Sequence, residues 1–110
     1  MELNVFSVYD EKAGAYLPPW TLPTVAMAKR VFGNCVNDQE HQFCANPEDY
    51  TLFKLATFDD RTGRLNVCDH NISYGNGVEY IKYGLANDRQ QIVSTVGHSL
   101  TNGEDSNEAT

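Results

Sequence analysis

Five side chains that could bind zinc, or could pair a nucleophile with a base, lie close together in the sequence: Cys35, His41, Cys44, Cys68 and His70. Their spacing contains no Cys-x2-Cys pair, the usual chelating unit of a structural zinc site. Cys44 and His41 form a local thiol–imidazole pair, but no glycine-rich turn beside them could stabilise an oxyanion. We therefore expect no metal site, no cofactor and no cysteine nucleophile.

Carboxylates occur as adjacent pairs at three places, Asp10-Glu11, Glu48-Asp49 and Asp59-Asp60. Neighbouring residues of a strand point to opposite faces, so these pairs do not form a shared acid–base dyad. All three fall at predicted turns, where capping and solvation explain them. Gly75-x-Gly77 lacks the further glycine and the strand-to-helix context of a phosphate-binding loop. The sequence predicts that the protein is not an enzyme.

Basic residues are few: 8 of them stand against 15 acidic residues, which gives a net charge of −7. This balance argues against a bulk electrostatic attraction to nucleic acid but leaves room for a local patch. Arg61 and Arg64 flank one predicted turn, and Lys54 projects from the adjoining strand with Tyr50 and Phe58 on its face. Such rings and charges are typical of single-strand binding surfaces. The competing interpretation is that the charges solubilise the protein and the rings fill its core.

Hydrophobic periodicity predicts the elements that position these residues. Period-two patterns indicate strands at residues 2–9, 50–59 and 64–69, the last with Leu65 and Val67 inward, and a further extended segment at 77–83. Thr24 is the predicted N-cap of an amphipathic helix that runs to about Asp38. Lys29 and Arg30 on its exposed side complete the candidate residues for nucleic-acid binding.

The order of these elements predicts an α+β protein, with a small β-α-β-β sheet and one helix on one face. A right-handed crossover would make the first two strands parallel. The strand at 50–59 is apolar on both faces, and the helix covers only one of them. We expect a second copy to cover the other. Phe53, Leu55, Phe6 and Val8 are the candidate residues of this homo-oligomer interface.

The chain divides into a predicted domain at residues 1–84 and an extension at 85–110. The extension is expected to form a weak helix at 86–96 and then a disordered acidic tail. No apolar run approaches the roughly 20 residues that span a bilayer, and the N-terminus lacks the pattern of a signal peptide. Three cysteines are an odd number, which favours reduced thiols. We expect a cytoplasmic protein without membrane contact.

Two segments also carry a family resemblance. The opening Leu3–Leu17 and the stretch Pro47–Phe53, with the following Leu55, Phe58, Asp59 and Asp60, resemble a small nonstructural protein of gokushovirus-type microviruses. The resemblance covers residues 1–69. It implies a phage with a circular single-stranded DNA genome, and a protein that acts in single-stranded DNA synthesis and packaging in the cytoplasm of the bacterial host. No catalytic residue comes with it.

Two functions follow as hypotheses. The first is an accessory protein that binds nucleic acid, specifically single-stranded DNA, as a homo-oligomer. The alternative is an acidic protein–protein interaction module that docks on the phage replication or capsid-assembly proteins without contacting DNA.

Overall fold

Residues 1–82 are described by the computed structural model, and they form an antiparallel sheet with one main helix packed on one side. The strands are β1 (Glu2–Asp10), β2 (Ala15–Tyr16), β3 (Trp20–Leu22), β4 (Tyr50–Asp59) and β5 (Arg64–Asn76). The helices are α1 (Val25–Val36) and α2 (Gln42–Ala45), with 3₁₀ turns at Pro47–Asp49 and Gly77–Tyr80. The predicted α+β class is confirmed. The expectations for residues 85–110 lie outside the described residues.

Helix α1 forms where the periodicity predicts it. The Thr24 hydroxyl accepts a hydrogen bond from the Met27 N–H at 3.2 Å, which satisfies one of the free donors of the first turn. Ala28, Phe32 and Val36 recur at four-residue spacing and are buried against the sheet. The predicted N-cap is confirmed, and the helix ends two residues before the predicted boundary.

Strands β1 and β4 are antiparallel, so the predicted parallel pairing is wrong. Tyr50 at the start of β4 lies opposite Asp10 at the end of β1. The reason is β3, a short strand in the proline-rich segment before α1. β3 pairs antiparallel with β1, Trp20 opposite Phe6, and returns the chain to the start of β1. Helix α1 then carries the chain back to the end of β1, where β4 begins.

The core lies between the sheet and the helices. The sheet contributes Phe6, Val8, Tyr50 and Leu52, and the helices contribute Ala28, Phe32, Val36 and Phe43. The Phe43 ring contacts both the Phe32 ring (5.6 Å between centroids) and the Tyr50 ring (4.4 Å). Phe6 is 0% exposed and Val8 is 1% exposed. Their assignment to an oligomer interface is therefore wrong, because α1 already covers them.

A β-bulge in β4 changes which residues share a face. Phe6 pairs with Lys54 and Val5 with Ala56, which leaves Leu55 without a partner on β1. Lys54 therefore faces the helix side of the sheet with Phe6. Phe58 faces the opposite side, although strict alternation predicted that it would share a face with Lys54.

Strand β5 is longer than predicted and contains a larger irregularity. Ala56 pairs with Val67, but Lys54 pairs with Ile72, so residues 68–71 bulge out of the ladder. Leu65 and Val67 are 60% and 77% exposed. The prediction that they point inward is wrong, because they pair with Phe58 and Ala56 on the side of the sheet that faces away from α1.

Residues 77–82 pack on α1 and are called here the helix-bound segment. The Tyr80 ring meets the Phe32 ring edge-on at 4.9 Å, and a Cβ on Gly33 would lie 3.3 Å from the Tyr80 ring. The side-chain NH₂ group of Asn37 donates a hydrogen bond to the Tyr80 backbone carbonyl at 2.9 Å. The side-chain oxygen of Asn37 accepts one from the Lys82 backbone N–H at 3.1 Å.

The segment begins with a 3₁₀ turn, so the extended conformation predicted for residues 77–83 is wrong. The Asn76 side chain accepts from the Val78 N–H, and the Glu79 carboxylate accepts from the Asn76 N–H. This reciprocal capping stabilises the turn that directs the chain onto α1.

Asn37→Ala tests the attachment of the helix-bound segment. The substitution leaves the Tyr80 carbonyl and the Lys82 N–H without their partner, so we expect the free energy of unfolding to fall by about 1–3 kcal/mol. Urea denaturation measures this change. Asn34→Ala on the exposed side of the same helix is the control and should change stability by less than about 0.5 kcal/mol. Equal effects of the two substitutions would contradict the role of Asn37.

Tyr80→Phe tests a pH dependence in the same contact. Burial raises the pKa of the Tyr80 hydroxyl above its ordinary value of 10.0, and this hydroxyl donates to the Tyr74 carbonyl. The neutral form is favoured in the folded state, so its stabilisation is complete below pH 10 and is lost as the pH rises through the folded-state pKa.

Unfolding measured at neutral pH and above pH 10 should show a smaller alkaline loss of stability in Tyr80→Phe than in the wild type. The Asn34→Ala variant keeps the hydroxyl and its surroundings and should retain the full alkaline loss. Identical pH profiles for Tyr80→Phe and the wild type would contradict the assignment.

Candidate nucleic-acid interface

Two of the predicted basic residues, Lys29 and Lys54, lie on the side of the sheet that carries the Tyr74 ring. The Lys29 ammonium lies 5.8 Å from the centre of the Tyr74 ring. On β5, Ile72 is two residues from Tyr74 and pairs with Lys54, so Tyr74, Ile72 and Lys54 all face the helix side. We call these four residues the Lys29–Lys54 surface.

The Lys29–Lys54 surface combines the two chemistries that unpaired nucleotides require. Lysine ammonium groups donate hydrogen bonds to phosphate oxygens and neutralise their charge. The half-buried Tyr74 ring and the Ile72 side chain, which is 41% exposed, provide apolar area for a base or sugar. The ring also holds the Lys29 ammonium through a cation–π contact.

Tyr74 was missed by the sequence reasoning because the third strand was predicted to end at Asp69. The period-two relation between Ile72 and Tyr74 was a signal for a continuing strand. The turn-forming residues Gly75 and Gly77 obscured it. Gly75 has a φ of +112° and lies inside the strand, where one extra residue is accommodated between the Phe53–Ser73 and Thr51–Asn76 pairs.

Tyr50 does not belong to this surface. It faces the helix side, but its side chain is 8% exposed and packs on Phe43 beneath α2. Burial, together with the nearby Asp10 carboxylate, raises the pKa of its hydroxyl. Its prediction as a base-stacking residue is wrong, because the residues before β4 cover the ring.

Arg61 and Arg64 lie at the tip of the β4–β5 hairpin, about 16 Å along the strand from Lys54 at about 3.3 Å per residue. Asp59 pairs with Arg64 in the ladder and accepts a hydrogen bond from the Arg61 N–H at 2.9 Å. This bond lowers the pKa of the Asp59 carboxyl and keeps it ionised. Asp60, also at the tip, forms an ion pair with the N-terminal ammonium of Met1 at 2.9 Å. The structure therefore does not join them to Lys54 as one basic patch.

Arg30 is exposed on α1 next to Lys29 in the sequence. Successive residues of a helix are about 100° apart around its axis, so Arg30 projects away from Tyr74. It shares the outer face of the helix with Met27 and Val31, which are also exposed. Arg30 lies at the margin of the Lys29–Lys54 surface rather than within it.

The opposite side of the sheet carries a second cluster, of aromatic rings. The Tyr16 ring contacts the Tyr9 ring at 4.9 Å and the Phe53 ring at 5.6 Å between centroids. The Tyr16 hydroxyl accepts a hydrogen bond from the Asn71 amide at 3.0 Å. Phe58 and Leu65 pair on this side nearer the hairpin tip. We call this side the aromatic face; Phe53 remains a candidate for the oligomer interface, as does the bulged Leu55.

The contacts of the histidine and cysteine side chains in this part of the chain are structural. The His41 ring nitrogen accepts a hydrogen bond from the Phe43 N–H at 3.1 Å and caps α2. Burial, with a contribution from Asp38, raises the pKa of the Cys35 thiol, which disfavours its nucleophilic form. No disulfide joins Cys35, Cys44 and Cys68. Within residues 1–82, no three histidine, cysteine or carboxylate side chains are placed to hold a metal ion.

No helix in the described part of the chain is both long and apolar enough to cross a membrane.

Comparison with known proteins gives one match. The model of the family described as Phage ORF5 protein matches residues 3–80, which is most of the chain and nearly all of the described fold. No curated protein and no solved structure matches the chain. The matched span includes β1, α1, the hairpin and Tyr74. The chain therefore belongs to the Phage ORF5 protein family, a family of phage proteins.

Proposed function

We propose that this phage protein binds single-stranded DNA through the Lys29–Lys54 surface. It would act as a nonstructural accessory protein of a gokushovirus-type microvirus, in single-stranded DNA synthesis or packaging in the cytoplasm of the bacterial host. The observation that carries the proposal is the placement of Lys29 and Lys54 on the same side of the sheet as the accessible ring of Tyr74.

The local charge supports this proposal despite the acidic composition. The whole chain carries −7, but charges on exposed groups are screened over about 10 Å at 0.1 M salt. A phosphate near Lys29 therefore responds mainly to its immediate neighbours. Glu2 and Asp59, two acidic residues of the same side, pair with each other near the hairpin tip, beyond the immediate surroundings of Lys54. The Glu79 carboxylate lies nearer to Tyr74, where it accepts a hydrogen bond from the Asn76 N–H.

The shape of the surface favours an unpaired strand. A surface with one tyrosine ring and two lysines on the same side of the sheet offers a base a stacking partner and offers its phosphates two charges. In a duplex, by contrast, the bases are already stacked on one another. Base–aromatic stacking contributes about 1–3 kcal/mol per base. Two phosphate contacts give weak binding by one chain, and self-association would multiply them on one strand of DNA.

The salt dependence of DNA binding tests the proposal. For single strands the slope of log K against log salt is about −0.7 per phosphate contact. Lys29→Ala/Lys54→Ala removes two such contacts. Over a tenfold range of salt, wild-type affinity should then fall about 25-fold more than the affinity of the double variant. Fluorescence anisotropy with a labelled oligonucleotide measures both slopes.

Lys12→Ala is the matched control, because it removes the same charge from the exposed turn between β1 and β2. It should leave the salt slope unchanged. An absence of wild-type binding at low salt would refute the proposed function. Equal slopes for all the variants would refute the assigned surface.

A second candidate function is docking on phage replication or capsid-assembly proteins. It is favoured by Leu65 and Val67, which are exposed on the aromatic face of the hairpin and continue the apolar pairing of Phe58 with Leu3. Pull-down from infected cells distinguishes the candidates. The docking function predicts phage proteins in a nuclease-treated eluate, whereas the DNA-binding function predicts their loss on nuclease treatment.

The homo-oligomer that the proposed function invokes is tested at the same hairpin. We expect wild-type protein to show a mass of at least two chains in light scattering, and Leu65→Glu/Val67→Glu to reduce it to one. The glutamates introduced on both copies would be buried at the interface and would repel each other, which opposes association. Asn66→Glu/Thr62→Glu adds the same charge at exposed polar positions of the hairpin and is the control. A wild-type mass of one chain would refute the expected oligomer.

A further inference from the structure

We propose that two copies of this chain pair through the edge of β5 at the hairpin, residues 64–67, and form one continuous sheet. The pairing is antiparallel, and its two-fold axis passes between the Asn66 residues of the two copies. The proposal gives a geometry to the homo-oligomer of the proposed function. It rests on that function only for its consequence, which is that both copies contact one strand of DNA. The contact between the copies does not depend on DNA.

The two edges of the sheet differ in how well they are protected. One edge consists of β2 and β3, which are two and three residues long and have Pro18, Pro19 and Pro23 beside them. Short strands and prolines are devices that prevent pairing at an edge. The other edge is β5, a strand of 13 residues that contains no proline. We therefore expect edge pairing at β5.

The open part of β5 is the stretch at the hairpin. Residues 68–71 bulge out of the ladder, and further along the strand the Tyr74 carbonyl accepts a hydrogen bond from the Tyr80 hydroxyl. Residues 64–67, by contrast, form a regular ladder with β4 and are exposed. This stretch is therefore both regular enough and accessible enough to receive another strand.

The backbone of this stretch presents hydrogen-bonding groups to a second copy. The Gly63 N–H donates to the Asp59 carbonyl at 2.7 Å, so the backbone of Asp59 faces β5. Asp59 pairs with Arg64. Because successive residues of an antiparallel ladder face opposite sides, Leu65 and Val67 direct their N–H and C=O groups away from β4. Each copy thus offers two donors and two acceptors at this edge.

These groups are complementary to themselves about Asn66. When Asn66 lies opposite Asn66 of the second copy, Leu65 of each copy lies opposite Val67 of the other. The two residues of such a pair exchange both backbone hydrogen bonds, which gives four bonds in the dimer. Leu65 and Val67 both lie on the aromatic face and are exposed. Each therefore gains an apolar neighbour on the second copy.

Other registers of the two strands are less favourable. A shift by two residues in one direction would place Leu65 opposite Asp69, and a shift in the other direction would place Val67 opposite Gly63 of the turn. The register about Asn66 instead brings Arg64 within one position of Asp69 of the second copy, a pair of opposite charges. The hairpin edge therefore fits a second copy of itself, as a two-fold dimer requires.

The consequence is that both copies present their lysines to the same side. The two-fold axis of an antiparallel pair is perpendicular to the sheet, so the two Lys29–Lys54 surfaces lie on one side of the continuous sheet. Packing of two aromatic faces would place them on opposite sides of the dimer. One strand of DNA bound to both copies holds them at an effective concentration in the millimolar range, so pairing and DNA binding favour each other.

A disulfide at the two-fold axis tests the pairing in the full chain without DNA. The two Asn66 residues exchange no backbone hydrogen bonds, so their Cα atoms would lie about 4.5 Å apart, within the range that a disulfide spans. In oxidised glutathione, Asn66→Cys should form covalent dimers by thiol–disulfide exchange about fivefold or more faster than the wild type. Thr62→Cys places the same thiol in the exposed turn and is the control, which should not exceed the wild type.

Cross-linking of Asn66→Cys at the wild-type rate, or equal cross-linking of the two cysteine variants, would overturn the proposal. Light scattering gives a second test that needs no thiol. Asn66→Glu/Thr62→Glu leaves a contact between two aromatic faces intact, but edge pairing would place its like charges opposite each other at the two-fold axis. Edge pairing therefore predicts a mass of one chain for this variant, and a mass of two chains would refute it.

DNA binding separates this inference from the proposed function. Disulfide-linked Asn66→Cys should bind labelled single-stranded DNA about tenfold or more tightly than the reduced variant at concentrations where the reduced variant is a monomer, because two surfaces then act together. Cross-linking without DNA binding would refute only the proposed function. DNA binding without cross-linking would refute the edge pairing.

Discussion

The packing of α1 on the β1–β4 pair is the interaction on which the rest of the structure depends. Phe6, Val8 and Leu52 from the two strands are fully buried beneath Ala28, Phe32 and Val36 of the helix. Burial of one large aliphatic or aromatic side chain contributes about 1.5–3 kcal/mol. These six residues therefore contribute much of the stabilisation that the core provides. The helix-bound segment adds the Tyr80 ring to the same helix. Its Asn37 contacts tie the last described residues to that core.

The one-sided core and the bulge in β4 together decide what the surface presents. Because α1 covers part of one side only, the hairpin extends beyond it and the aromatic face has no helix over it. The unpaired Leu55 then reverses the alternation between Lys54 and Phe58. In a regular strand without the bulge, Lys54 and Phe58 are four residues apart and would share a face. One inserted residue thus separates the lysine side from the aromatic side.

The electrostatics of the protein differ between the local and the whole-chain scale. At the hairpin tip, the charges of Arg61 and Arg64 are balanced in number by those of Asp59 and Asp60. At the Lys29–Lys54 surface, two lysines lie on the same side of the sheet as the Tyr74 ring. The acidic residues beyond the described fold account for part of the net −7. The sign of the electrostatic potential can therefore differ between this surface and the chain as a whole.

By itself, the sequence determined the local elements of this protein, because their signals are short-range. The Thr24 cap, the α1 periodicity, the Pro47 turn and the Asp60–Gly63 hairpin follow from capping, hydrophobic spacing and turn chemistry within a few residues. The α+β class and the candidate lysines follow from the same signals. The tertiary structure alone decided the antiparallel direction of β4, the exposure of Leu65 and Val67, the burial of Tyr50 and the place of Tyr74. Each of these depends on β3, on bulges or on a covering helix, and strand pairing between distant residues leaves no periodic signal in either segment alone.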